Sequence, residues 1–207
     1  MTSTEAPREI APGLVVQGIA TPLCLGDFKL LACDMDSTLI SIECVDEIAA
    51  AVGRKAEVSA ITEAAMQGHI ADYKESLRQR VALLAGVTLA QLEAIYAERL
   101  RLNPGAEALM RAAQAAGLAT LLVSGGFTFF SDRVKARLGI RFARSNVLEI
   151  SNGRLTGRMV DQSWGDICDG AEKRRALLEL ASLMGIAPQQ AMAMGDGAND
   201  LPMMGVA

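Results

Sequence analysis

The 207-residue sequence contains a single histidine, His69, and only 4% aromatic residues. A catalytic triad or a zinc site built on histidine therefore has little to draw on, and stacking of nucleic-acid bases on aromatic side chains is not expected. The net charge of −4 disfavours binding to a polyanion, although a local basic pocket is compatible with it. We therefore expect no nucleic-acid partner.

Long apolar runs and paired cysteines are also missing. No stretch approaches the roughly 18 consecutive apolar residues that span a bilayer, and the opening MTSTEAPREI lacks the basic start and apolar block of a signal peptide. No C-x-x-C spacing occurs, so the cysteines are interpreted as reduced thiols. They are Cys24, Cys33, Cys44 and Cys168. These features predict a cytoplasmic protein without a membrane partner.

Hydrophobic residues make up 51% of the chain, and their order predicts an α/β fold with a parallel sheet. Core strands are predicted over residues 30–36, over 118–123 and around Met192, and a short edge strand at Val15-Val16. The dipeptide Asn152-Gly153 predicts a hairpin. Its strands are expected over residues 147–150 and 154–160. Helices are predicted over residues 46–52, 55–67 (ending at Gly68), 72–85, 88–101, 106–116, 127–138 and 171–184.

Five of these helices fall between the first two core strands, and the first four of them form a continuous helical stretch. This order predicts a small helical cap inserted after the first strand of a Rossmann-like core. The predicted division is a lead-in over residues 1–28, a core over residues 29–44 and 103–207, and a cap over residues 45–102.

Two acidic pairs follow predicted core strands. Asp34 and Asp36 come directly after the first strand, and Asp196 and Asp200 lie in the segment GDGAND after the last one. Because ligands of open α/β sheets bind beyond the carboxyl ends of the strands, these carboxylates are expected at one edge of the sheet. Clustered carboxylates need a cation or a shared proton to relieve their repulsion, and oxygen ligands favour Mg²⁺.

Asp34 and Asp36 are two residues apart, so on an extended chain both side chains face one pocket. This spacing suits a nucleophile beside a general acid: Asp34 attacks phosphorus and forms an aspartyl-phosphate, while Asp36 protonates the leaving alcohol and later activates water. Mg²⁺ would allow Asp34 to approach an anionic phosphate. The alternative interpretation is a helix N-cap and turn, where aspartate is common.

Ser124-Gly125-Gly126 follows the second core strand and precedes a predicted helix. A serine hydroxyl, unhindered glycine amides and a helix N-terminus form a phosphate cradle, although an ordinary strand-to-helix turn has the same composition. A cation that neutralises the phosphate is expected at the start of the helix after the hairpin. Lys173, Arg174 and Arg175 compete for this role. Only chain order favours Lys173, and a solvated helix start is the alternative.

Arg80 falls on the apolar face of the third predicted helix. That face is formed by Tyr73, Leu77, Val81 and Leu84. At about 100° per residue, Arg80 lies about 20° from Tyr73, whereas Arg78 lies well outside the face. An arginine there needs an anionic partner, either a ligand carboxylate bound in bidentate form or a core acid in a structural ion pair. The residues alone favour neither.

Glu43 lies in the segment ISIECVDE, just beyond the loop of the first core strand. Its carboxylate is a candidate to hold a cationic group of a substrate. A negative charge that stabilises a helix N-terminus is the alternative.

Four short segments in this order resemble the motifs of the haloacid-dehalogenase (HAD) superfamily. They are DMDSTL, SGG, a downstream lysine and GDGAND. The longer strings IECVDEIA, SLRQRV and VSGGFTFF are similar to those of the phosphoserine phosphatase family within it. The resemblance extends over residues 28–207.

The resemblance implies Mg²⁺-dependent hydrolysis of O-phospho-L-serine to serine and phosphate, the last step of the phosphorylated route to serine. It makes Asp34 the nucleophile and Asp36 the general acid/base. It assigns Mg²⁺ to Asp34, Asp196 and the backbone carbonyl of Asp36. The remaining implied roles are phosphate binding by Ser124, Gly125, Lys173 and Asn199, metal support by Asp200, and substrate binding by Glu43 (ammonium) and Arg80 (carboxylate).

Two departures from the family pattern are present. Tyr73 stands where members often carry phenylalanine. The chain ends at Ala207, whereas members usually continue into a further strand, so we expect the core to be truncated and the Met192 strand to lack its outer neighbour. Because an unpaired apolar edge invites swapping or aggregation, the expected cost is in stability rather than in chemistry.

Two other functions are left open. One is a related phosphatase or phosphotransferase for another small phosphomonoester such as phosphohomoserine, because contacts of the closed cap set specificity. The other is a non-catalytic domain that holds phosphate on Asp34 without turnover, against which the acid/base Asp36 argues. The expected partner is a small phosphomonoester, and a homodimer is left open.

Overall fold

The computed structural model of the chain describes residues 6–18, 23–67, 69–70 and 72–207. Parts of the predicted lead-in, residues 1–5 and 19–22, lie outside the described residues, as does the predicted helix stop at Gly68. Within the described ranges, no helix is both long enough and apolar enough to cross a membrane.

The central sheet has five strands, and a separate sheet has two. The strands are β1 (Arg8–Ala11), β2 (Leu14–Val16), β3 (Leu30–Cys33), β4 (Ala119–Phe127), β5 (Phe142–Ser151), β6 (Arg154–Val160) and β7 (Ala191–Met194). The central sheet has the order β6-β5-β4-β3-β7. Strands β5, β4, β3 and β7 run parallel, and β6 pairs antiparallel with β5. The predicted parallel sheet is therefore confirmed.

Helices follow the strands in the predicted alternation. They are α1 (Cys44–Ala51), α2 (Lys55–Met66), α3 (Tyr73–Ala82), α4 (Leu89–Glu98), α5 (Ala106–Ala115), α6 (Thr128–Leu138), α7 (Gly170–Met184) and α8 (Leu201–Met204). The first four lie between β3 and β4, where the sequence predicts an insertion. The exact division into a cap over residues 45–102 and a core around it stays a prediction.

Local sequence signals explain several element ends. Asn152 and Gly153 join β5 to β6 with φ angles of 51° and 73°, the left-handed conformation that a tight hairpin turn needs at both central positions. Thr88 and Gln91 form a reciprocal capping box at the start of α4. The predicted hairpin and this capping box are both observed.

The central sheet is buried on both faces. Leu31 and Cys33 of β3 pack into an apolar cluster with Phe127, whereas Leu30 and Ala32 pack into a second cluster on the opposite face. This alternation follows from the two-residue period of a strand. Because both faces are covered by helices, the open parts of the sheet are its edges and its strand ends.

The course of β4 differs from the prediction. The sequence predicts a strand that ends at Val123 before a Ser-Gly-Gly turn, but the strand continues to Phe127. Its pairing with β5 is interrupted after Val123 and resumes where Phe127 pairs with Asn146. The Ser-Gly-Gly segment is therefore a bulged part of the strand, a feature common beside active sites.

Two peripheral strands also bear on the predictions. The predicted strand at Val15-Val16 is present as part of β2, but it pairs with β1 in a separate hairpin and not with the central sheet. Among the described residues, β7 has one partner, β3, and forms an edge of the central sheet. The expected cost of that edge in stability stays a prediction.

Candidate active site

The carboxyl ends of β3, β4 and β7 open into a cavity of about 450 Å³, bounded on the other side by residues of α2 and α3. Eight of the ten predicted site residues line this cavity. They are Asp34, Asp36, Glu43, Arg80, Ser124, Gly125, Asp196 and Asn199. Of the other two, buried Lys173 contacts Asp34, and buried Asp200 pairs with Lys173.

Asp34 directly follows β3, and its backbone N–H donates to the Met194 carbonyl of β7 at 3.0 Å. Its side-chain Oδ1 lies 2.9 Å from Lys173 Nζ. This contact is an ion pair that lacks hydrogen-bond geometry, so Oδ1 is a buried oxygen without a hydrogen-bond donor among the described residues. Burial raises the pKa of the Asp34 carboxyl to about 6, although the Lys173 ammonium opposes the shift. The carboxylate therefore sits where a further cation would stabilise its charge.

The start of α1 holds the Asp36 side chain in place. The Cys44 backbone N–H donates to Oδ2 at 2.9 Å, and the Cys44 thiol donates to Oδ1 at 3.2 Å. Burial first, and the charge of Glu43 second, raise the pKa of Asp36 to about 7. A carboxyl that titrates near neutral pH is suited both to give and to take a proton.

Burial separates Lys173 from the two arginines that compete with it in sequence. Lys173 is fully buried, and its Nζ lies 2.7 Å from Asp200 Oδ1. Arg174 and Arg175 are exposed, and Arg175 pairs with Glu172. Burial lowers the pKa of Lys173, but the carboxylates of Asp34 and Asp200 outweigh it, so the net shift is upward and the group stays charged. Among these three, Lys173 is the cation next to Asp34.

The donor set beside Asp34 fits a hard cation. Carboxylate oxygens of Asp34, Asp196 and Asp200 all lie within 4.8 Å of one another. Both oxygens of Asp200 already accept hydrogen bonds, from Lys173 at 2.7 Å and from the Gly197 N–H at 3.0 Å. Among the described residues, Asp196 accepts one side-chain hydrogen bond, from the Thr38 hydroxyl to Oδ1. This pattern leaves free oxygens on Asp34 and Asp196 and suits Asp200 to a supporting role.

The Asp36 side chain takes no part in this acidic cluster, because Cys44 engages both of its oxygens. A ligand role for Asp36 therefore depends on its backbone carbonyl, as the resemblance implies. That carbonyl accepts the Thr38 N–H at 2.7 Å and retains a second lone pair.

The bulge in β4 forms an open cradle next to the two aspartates. The Ser124 hydroxyl oxygen accepts the Gly126 N–H at 2.9 Å. A Cβ added at Gly126 would lie 3.4 Å from Asp36 Oδ1, and one added at Gly125 would lie 2.2 Å from the Tyr73 hydroxyl oxygen. A side chain at Gly125 would therefore displace the Tyr73 hydroxyl, whereas at Gly126 the tightest contact would be 3.0 Å to Met35 Cε, the end of a flexible side chain. The helix N-terminus expected in the cradle comes later, since α6 begins at Thr128.

Asn146 was missed by the sequence reasoning, although it holds this cradle. It is fully buried, its amide donates to the Gly125 carbonyl at 2.8 Å, and its Oδ1 accepts the Cys168 N–H at 2.8 Å. The side chain thus ties the bulge to the segment that leads into α7. It has no distinctive sequence signal, because half of the residues of β5 are polar, and the start of β5 was not predicted. Cys44 and Thr38 were also missed as contacts of the site.

Arg80 and Glu43 line the same cavity. Arg80 is half-buried, donates from Nε to the Ser76 carbonyl at 3.4 Å and forms no ion pair with any described residue, whereas Arg78 pairs with Asp166. The structural ion pair considered for Arg80 is therefore not observed within the described ranges. Its guanidinium is available to a ligand.

Glu43 occupies the N-cap position of α1, yet its side chain caps no backbone N–H of that helix. Its Oε1 accepts the Ser37 hydroxyl at 2.5 Å. Burial raises the pKa of Glu43, and the Arg80 guanidinium is close enough to oppose that shift. The two charges therefore face a common space, and their roles toward a substrate stay predictions.

Comparison with known proteins agrees with this geometry. The family model described as haloacid dehalogenase-like hydrolase matches residues 31–205. A phosphoserine phosphatase of Albidiferax ferrireducens is 72% identical over 198 residues, covering 96% of this chain and 84% of that protein. A phosphoserine phosphatase of a Polaromonas species is 70% identical over 202 residues, covering 97% and 85%.

A solved structure described as a phospho-aspartyl intermediate analogue of phosphoserine phosphatase is also similar. It superposes with a TM-score of 0.78 at 35% identity, covering 87% of this chain and 83% of that one. With the family model matching most of its length, the chain belongs to the haloacid dehalogenase-like hydrolases.

Proposed function

We propose that this protein hydrolyses O-phospho-L-serine to L-serine and phosphate with the help of Mg²⁺, as the last step in making L-serine. The observation that carries the proposal is the charge pattern of one cavity. Asp34 follows β3, the glycine cradle lies in the bulge of β4, and Arg80 and Glu43 line the same cavity. A phosphoryl group, a carboxylate and an ammonium group would each meet a complementary partner there. The names of the two relatives at 72% and 70% identity support the same substrate.

In the first step, an Asp34 oxygen attacks phosphorus and the bond from phosphorus to the seryl oxygen breaks. Asp36, whose pKa is raised to about 7, gives its proton to the leaving seryl oxygen. Lys173, held beside Asp34, balances negative charge on the phosphoryl group. The products of this step are serine and an aspartyl-phosphate on Asp34.

In the second step, the Asp36 carboxylate takes a proton from a water molecule, and the resulting nucleophile attacks phosphorus. The bond from phosphorus to Asp34 breaks, phosphate leaves, and both aspartates return to their starting state. Mg²⁺ held by Asp34, Asp196 and the Asp36 carbonyl would supply positive charge that lets two anions approach each other. Ser124 and Asn199 would orient the phosphoryl oxygens from the other walls of the cavity.

The proposal includes a cytoplasmic location. Four free cysteines, three of them buried, support a reducing compartment, and O-phospho-L-serine is a small water-soluble metabolite. A homodimer is compatible with the proposal and is not needed for it, because every proposed site residue comes from one chain.

Phosphate release tests the proposal. The substrates are O-phospho-L-serine, phosphothreonine, phosphohomoserine and p-nitrophenyl phosphate, each with Mg²⁺ and with EDTA. Asp34→Asn removes the nucleophile, and Asp132→Asn, on the exposed side of α6, is the matched control. We expect selective release from O-phospho-L-serine that EDTA and Asp34→Asn abolish and Asp132→Asn leaves intact. Preference for another ester would indicate the related phosphatase, and a stable phosphorylated protein without release would indicate the non-catalytic domain.

A further inference from the structure

The hydroxyl of Tyr73 lies directly against Gly125, the first of the two glycines of the cradle. A Cβ added at Gly125 would lie 2.2 Å from the hydroxyl oxygen and 3.4 Å from the ring carbon that bears it. Tyr73 is the first residue of α3, and its ring packs against the larger apolar cluster. The ring thus places its hydroxyl next to the bulge of β4.

The hydroxyl forms no hydrogen bond with any residue in the described part of the chain, although it borders the cavity. Burial raises the pKa of Tyr73 to about 12, and the opposing charges of Arg80 and Lys173 do not cancel the shift. The group is therefore a protonated donor at neutral pH. Tyr73 is partly buried and lines the cavity, so a ligand there can accept a hydrogen bond from its hydroxyl.

Tyr73 and Arg80 are seven residues apart in α3. Seven residues make nearly two turns, so the two side chains leave the helix within about 20° of each other and about 10.5 Å apart along its axis. Both line the cavity. One helix face therefore presents a neutral donor next to the cradle and a guanidinium further along.

We propose that Tyr73 is a phosphate-recognition residue, whose hydroxyl donates a hydrogen bond to an oxygen of the phosphoryl group seated at Ser124-Gly125-Gly126. This inference rests on the proposed function for the position of the phosphoryl group. Helix α3 then contacts both ends of the substrate, with Tyr73 at the phosphoryl group and Arg80 at the carboxylate. A phenylalanine at this position would fill the same space without that contact.

Tyr73→Phe tests the inference, and Tyr96→Phe, which changes the other tyrosine of the chain on α4, is its matched control. The readouts are kcat/KM for O-phospho-L-serine and for p-nitrophenyl phosphate, and calorimetric binding of inorganic phosphate in the presence of Mg²⁺. One hydrogen bond to a charged oxygen predicts a loss of about tenfold or more in all three quantities for Tyr73→Phe. Tyr96→Phe is expected to match the wild type, and both variants should melt close to it.

Arg80→Met separates the two ends of the substrate. We expect it to lower kcat/KM for O-phospho-L-serine far more than kcat/KM for p-nitrophenyl phosphate or the affinity for inorganic phosphate, because neither of these carries the carboxylate. A Tyr73→Phe variant with the same pattern as Arg80→Met, or with wild-type values in all three assays, would overturn the inference. If the wild type does not cleave O-phospho-L-serine, the proposed function fails while phosphate binding still decides the role of Tyr73.

Discussion

Lys173 and Asp200 form an ion pair in which both side chains are fully buried, with 2.7 Å between Nζ and Oδ1. Lys173 also lies 2.9 Å from Asp34, so one buried cation serves two carboxylates. Such a pair is costly to break, because the remaining charges stay buried without compensation. Lys173 therefore has two roles. It places a positive charge beside Asp34, and through Asp200 it joins α7 to the GDGAND segment.

Lys173→Met is expected to abolish phosphatase activity and to lower the free energy of unfolding by about 3–5 kcal/mol, since it leaves two buried carboxylates unpaired. Urea denaturation in EDTA measures the second effect without a contribution from bound metal. The control Arg174→Met changes an exposed neighbour and should stay within about 0.5 kcal/mol of the wild type. Equal unfolding free energies for the two variants would contradict the prediction.

The periodicity of α7 distinguishes Lys173 from the two arginines that follow it. Lys173, Leu177 and Leu180 stand at i, i+4 and i+7, and all three are buried on one face of α7. Applying to this helix the argument that placed Arg80 would have separated Lys173 from its neighbours. The same argument from helix angle predicts that Arg80 lies on the inner face of α3, and Arg80 lines the cavity.

The bulge of β4 was not predictable from local sequence, for a different reason. Serine and glycine are poor strand formers, and Ser124-Gly125-Gly126 looks like a turn when read alone. The strand continues because Phe127 finds a partner in Asn146 on β5, a contact between distant parts of the chain. A signal confined to neighbouring residues, the Asn152-Gly153 dipeptide, did predict its turn.

Gly195 is expected to tolerate no side chain. A Cβ there would lie 2.2 Å from the carboxylate carbon of Asp200, so Gly195→Ala must displace that carboxylate from Lys173. We expect at least a tenfold loss of kcat, together with about 1–3 kcal/mol of stability, the usual cost of overpacking. Steady-state kinetics and thermal melting measure the two effects. The control is Gly26→Ala, where an added Cβ meets nothing within 4 Å, and a similar loss there would refute the steric argument.

Asn146 is expected to act as a positioning residue. Asn146→Leu removes the side-chain amide and both of its hydrogen bonds. The Gly125 carbonyl and the Cys168 N–H are then left unsatisfied, at a cost of about 1–3 kcal/mol for each group. Because the cradle loses its support, we expect a higher inhibition constant for inorganic phosphate as well as lower stability.

A matched change at the other asparagine of the β5–β6 hairpin controls for general effects. Asn152 has a φ of 51°, a conformation that glycine adopts readily, so Asn152→Gly should leave both quantities nearly unchanged. If Asn146→Leu is destabilised but binds inorganic phosphate as tightly as the wild type, the residue is structural only and the positioning role is wrong.

Asp166 links α3 to the segment before α7, and its contribution to stability should depend on pH. It accepts hydrogen bonds from Lys74 at 2.7 Å and from Arg78 at 2.6 Å. The hydrogen bond from Lys74 is the main reason that its pKa is lowered in the folded protein. A carboxyl whose pKa is lowered by folding stabilises the fold above its unfolded pKa, about 3.9, and loses this contribution as the pH falls through the folded value.

We therefore expect Asp166→Asn to be less stable than the wild type at pH 7, by at most about 1 kcal/mol because these side chains are partly exposed to solvent. The difference should shrink toward zero at pH 3 and should also fall at high salt. Urea denaturation at the two pH values measures it, with Asp161→Asn, an exposed neighbour, as the control. A difference that persists unchanged at pH 3 would mean that the Asp166 side chain stabilises this contact by packing rather than by its charge.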